Sequence, residues 1–76
     1  DQTKPAVVLA AAAATPGDFA RRLRVCEANL YIAEYQLIKN DAAAARPLLQ
    51  AAVDGCPAGV PEGALARAEL QRAGAH

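Results

Sequence analysis

Seventy-six residues make one domain, 1–76, and a chain this short buries only about 60% of the surface its unfolded form exposes, so it needs a staple or a second copy over an apolar face. Eight Lys and Arg balance eight Asp and Glu, leaving no net field to attract nucleic acid or an anionic membrane. One Phe, two Tyr and no Trp offer few platforms for stacking bases or sugars, while a hydrophobic fraction of 54% predicts a homo-oligomer.

Asp1 to Thr3 is expected to be a loose end, and Pro5 suits the first turn of a helix because no amide donor is needed there. The first helix is placed at 5–14. Its run from Ala6 to Ala14 carries no charge but is far shorter than the roughly 20 residues that cross a bilayer. With Lys4 ahead of it the run imitates the tail of a secretion signal. Dense alanine, which favours helix and lets a neighbour approach closely, argues instead for a helix of the fold.

Thr15-Pro16-Gly17-Asp18 marks the next boundary. Thr15 is placed as the cap, Pro16 at the first helical position and Asp18 as the acidic partner of a capping box, giving a helix over 16–39. Phe19, Leu23, Cys26, Leu30, Ala33 and Leu37 recur at spacings of four and three, with Val25, Ile32 and Ile38 widening the stripe. So wide a stripe predicts contact on two sides, with the helix between its neighbours. Arg21 and Arg22 follow Asp18 by three and four residues and form a solvated ion-pair face.

Asn40-Asp41 supplies a helix stop followed at once by a cap, and the third helix is placed at 42–54. Ala45, Leu48, Leu49, Ala52 and Val53 give it one buried face, and Pro47 inside it predicts a bend or a weak first turn. Gly55, Pro57, Gly59 and Pro61 punctuate a loop. The fourth helix is placed at 61–73, with Val60, Ala64, Leu65 and Ala68 inward, Leu70 and Ala73 around the side, and Gly74 as its stop. The fold class is therefore all-α, four helices with antiparallel neighbours and a central hairpin over 16–54.

Cys26 and Cys56 lie near the two ends that an antiparallel hairpin brings together, which predicts a disulfide between them and an oxidising compartment. The competing reading keeps both thiols free, Cys26 as a small buried hydrophobe and Cys56 in a loop, and the chain cytoplasmic. Signs of chemistry are lacking. Two cysteines and a terminal His76 cannot close a tetrahedral zinc site. Gly55, Gly59 and Gly63 match no phosphate-binding pattern. Glu27 and Glu34, seven apart, have no partner base, so they read as solvated carboxylates. No active site and no cofactor are expected.

The hairpin Asn29–Pro57 resembles the tetratricopeptide repeat, a helix–turn–helix unit that holds other proteins. Ile32 and Ala33 match its Leu-Gly pair, Asn40-Asp41 its Gly-Asp turn, Ala45, Leu49 and Ala52 its small, large and small positions, and Pro57 its closing proline. Asn29 and Gln36 depart from it, standing where large aromatics are usual. Glu27-Ala28-Asn29-Leu30-Tyr31 and Val60-Pro61-Glu62 are further similar to the final repeat of NlpI-type bacterial envelope lipoproteins.

The resemblance implies a non-catalytic module that takes a peptide or partner helix, in the periplasm or secreted. Asn29, Tyr31, Tyr35 and Gln36 are the expected contacts, against the alternative that both tyrosines belong to the core. The other functional expectation is a structural one, an assembly subunit or the C-terminal cap of a longer solenoid, because a stable array takes at least three repeats.

Overall fold

The computed structural model describes residues 4–74, and the expectations for Asp1–Thr3 and His76 fall outside them. Four helices follow one another, α1 Pro5–Ala13, α2 Asp18–Ile38, α3 Ala42–Gly55 and α4 Pro61–Gly74, with no strand among the described residues. The chain is all-α, and each helix lies within two residues of its expected bounds. Consecutive helices pack on one another: α3 lies against both α2 and α4, α1 touches α2 alone, and α2 meets α4 only lightly. The result is a flat body, 38 × 31 × 14 Å across its Cα atoms.

The entrance to α2 departs from the capping box expected at Thr15. Gly17 is the cap residue, at φ +88°, a conformation that suits glycine, and no side chain caps the helix. Asp18 turns forward to accept from Arg21 Nη2 at 2.9 Å rather than back to Thr15, whose own amide bonds the Ala12 carbonyl at 3.1 Å. Reversing direction between α1 and α2 takes a left-handed residue, so Thr15 and Pro16 stay outside the helix. Arg21 makes the ion pair with Asp18 in full view of solvent, where such a pair contributes under about 1 kcal/mol.

The α2–α3 turn forms as its residues predict. Asn40 takes φ +62°, the Asp41 amide reaches back to the Gln36 carbonyl at 2.8 Å, and the Asn40 amide to Leu37 at 3.0 Å. That double bond pattern is a Schellman closure, which satisfies carbonyls the helix end would orphan. Asp41 then caps α3, its Oδ1 accepting from the Ala44 amide at 3.0 Å. Pro47 leaves α3 continuous, and both it and Ala43, whose carbonyl loses its helical donor, are exposed residues.

The core joins three helices: Leu30 and Ala33 of α2, Ala45, Leu49 and Ala52 of α3, Ala66 and Ala73 of α4. Leu49 is the largest side chain sealed completely. Ala33, Ala45 and Ala52 have no accessible surface, the small residues letting α2 and α3 approach closely. Ala12, Ala28 and Ile32 are buried outside this cluster, so α2 does have two packed sides. On α4 the expected inward face is rotated. Ala66, Leu70 and Ala73 pack inward at i, i+4 and i+7, while Ala64 and Leu65 are exposed. Arg46 Nη1 on α3 donates to the Ala73 carbonyl at 3.3 Å, tying down the C-terminal end of α4 in that orientation. Phe19, expected in the apolar stripe, is exposed because it precedes the segment of α2 that its neighbours cover.

Candidate functional site

The light contact between α2 and α4 leaves an open groove of about 430 Å³. From α2 come Glu27, Leu30, Tyr31, Glu34, Tyr35 and Ile38, whose three- and four-residue spacing sets them along one side of the helix. From α4 come Glu62 and Leu65. The groove is predominantly apolar, and several of its side chains are large and unsatisfied by packing: Tyr31 is 75% exposed, Ile38 81% and Leu65 46%. A second hollow, about 480 Å³, opens between α1 and α2 against Val8, Ala11, Ala12 and Ala28. Glu27 and Tyr31 line both and form the ridge that separates them.

The charged residues that line the groove itself are Glu27, Glu34 and Glu62. Glu27 Oε1 accepts from Arg24 Nη1 at 2.9 Å. Glu34 and Glu62, on opposite walls, have no ion-pair or hydrogen-bond partner among the described residues. Lys39 Nζ sits 5.1 Å from the centroid of the Tyr35 ring, a cation–π contact worth about 0.5–1 kcal/mol at an exposed site. It holds one face of that ring at the end of the groove.

Of the four residues expected to meet a partner, the structure brings two together. Tyr31 and Tyr35 are exposed in the groove, which removes the alternative that they belong to the core. Asn29, by contrast, is only 7% exposed and does not line the groove. Gln36 is half-buried and does not line the groove. Seven residues separate Asn29 from Gln36, so they share a side of α2 different from the one that Tyr31, Tyr35 and Ile38 occupy. Ile38, Leu65, Glu34 and Glu62 were not anticipated as site residues. The period of Glu27, Tyr31, Glu34 and Ile38, spaced 4, 3 and 4, carried the signal on α2; on α4 the rotated face concealed it.

Cys26 and Cys56 are paired at disulfide distance, their Cα atoms 4.8 Å apart across a separation of 30 residues. Cys26 is sealed and Cys56 half-buried against the core, so the pair closes the open end of the α2–α3 hairpin from inside. A Cβ added at Gly63 would stand 3.4 Å from the Cβ of Cys56, at contact distance, so the first turn of α4 lies against the bridge. The pair is compatible with an oxidising compartment. No helix among the described residues is long and apolar enough to cross a membrane. No family model, curated protein or solved structure matches the chain.

Proposed function

We propose that the protein is a non-catalytic interaction module of tetratricopeptide type that holds the apolar face of a peptide or partner helix in the α2–α4 groove. The observation that carries the reading is the gathering of exposed Tyr31, Tyr35, Ile38 and Leu65 along one trough, where aliphatic and aromatic anchors of a ligand would be desolvated on both sides. The order of packing supports the repeat reading: α3 is wedged against both α2 and α4, and small residues stand at Ala33, Ala45 and Ala52. With the cysteines paired, we place the module in the periplasm or outside the cell.

The test is binding of amphipathic helical peptides, read by fluorescence anisotropy, to the protein and to its Tyr35→Ala and Leu65→Ala variants. Each variant should bind about tenfold more weakly, a loss of about 1.4 kcal/mol, with its melting temperature little changed. Unaltered binding in both variants would remove the groove from consideration.

A second reading, assembly into homo-oligomers or a longer helical stack, rests on α1. It packs on α2 alone and leaves Val7 exposed. Sedimentation at micromolar concentration decides it: an oligomer that Val7→Glu converts to monomer supports this reading, and a monomer throughout opposes it.

A further inference from the structure

We propose that the groove's occupant is a basic amphipathic helix, one that flanks its apolar anchors with Lys or Arg. The inference rests on the docking role proposed above and adds the chemistry of what docks. The charged residues lining the groove are all acidic, Glu27 and Glu34 from α2 and Glu62 from α4. Beside the two α2 glutamates, Arg24 pairs with Glu27 and Lys39 lies over the Tyr35 ring at the groove's end, while Arg67 of α4, five residues past Glu62, makes no ion pair among the described residues. Glu34 and Glu62 are therefore opposed carboxylates beside an apolar floor, without a partner among the described residues, in a chain whose formal net charge is zero.

A purely apolar ligand seated there would strip water from both carboxylates and return nothing for it. A ligand carrying cations beside its anchors replaces that water, and an acidic ligand adds repulsion. The lining of α2 runs from Glu27 to Ile38, eleven residue steps or roughly 16 Å at 1.5 Å per residue, the length of about three helical turns. That length suits a partner helix anchored at i, i+3 or i+4, and i+7. A second copy of this chain, docked groove to groove across a two-fold axis, would bring three further glutamates into the same trough, which argues against it as the occupant.

The experiment uses two fluorescein-labelled synthetic helices of about 15 residues with identical Leu and Ile anchors, one flanked by Lys and the other by Glu. Anisotropy titrations are run with the oxidised protein at about 50 mM and about 500 mM salt. The Lys-flanked helix should bind about tenfold tighter at low salt, and the gap should shrink at high salt. The Glu34→Gln/Glu62→Gln double variant should narrow the gap at least about threefold without lowering the melting temperature.

Equal affinity for the two helices, or preference for the Glu-flanked one, overturns the basic partner while leaving the groove as a docking site. Failure of both to bind, with the protein folded by circular dichroism, overturns the docking role itself. A protein dimer dispersed by Leu65→Asp would make a second copy the occupant and likewise overturn the proposal.

Discussion

Breaking the Cys26–Cys56 pair should cost this protein much of its stability. The pair closes a loop of 30 residues, and the chain-entropy relation, 2.1 plus 1.5R ln n in cal/mol/K, gives about 12 cal/mol/K, or roughly 3.6 kcal/mol at 25 °C. A domain of this size shifts its midpoint by about 4–8 °C per kcal/mol, so reduction should lower Tm by roughly 15–30 °C. The Cys26→Ala/Cys56→Ala variant should fall somewhat further, by about 1 kcal/mol, since it also removes the sealed Cys26 sulfur from the packing. Thermal melts by circular dichroism on oxidised, reduced and variant protein measure all three. A reduced protein melting within about 3 °C of the oxidised one would refute the reasoning and show that packing alone holds the hairpin closed. Two free thiols by mass spectrometry of air-exposed material would refute the pairing itself.

Leu49→Ala, at the largest sealed side chain, should destabilise by about 2–5 kcal/mol in urea unfolding. Asp41→Ala should cost about 1 kcal/mol by losing the bond to the Ala44 amide, and Asp41→Asn should recover most of it. Gly63→Val should lower stability by about 1–3 kcal/mol, because any Cβ there meets Cys56 and two more carbons press α4 off the bridge. Tyr31→Ala should leave the melt nearly unchanged, since the ring is mostly in water, and weaken peptide binding alone.

Period and punctuation made most of the fold legible. Alanines at 33, 45 and 52 marked the helix contact, Asn40-Asp41 the closure of one helix and the cap of the next, and the antiparallel hairpin the pairing of Cys26 with Cys56. Two features escaped because tertiary demands decided them. Thr15 and Asp18 have the residue types of a capping box, yet the reversal after α1 takes a left-handed residue and only Gly17 adopts it without strain. On α4, alanines at 64, 66, 68 and 73 surround the helix, so hydrophobicity did not say which side faced inward; Leu70 and the Arg46 bond to Ala73 accompany the face that did.

The candidate site was half legible for a related reason. Tyr31 and Tyr35 are four apart and share a face, whereas Asn29 and Gln36 are close to them in sequence but lie around the helix. Leu65 was expected on an inward face with Val60, Ala64 and Ala68. Its exposure beside Tyr35 and Ile38 is visible only once α4 is in place.

The most direct test of the groove as a binding surface is an amide chemical-shift map of isotope-labelled, oxidised protein titrated with the Lys-flanked helix. The account predicts shifts confined to Glu27 through Ile38 of α2 and to the first two turns of α4 around Glu62 and Leu65, with α1 and the outer face of α3 unmoved. Shifts centred on Val7 and α1, or on the exposed side of α3 near Pro47 and Gln50, would contradict it.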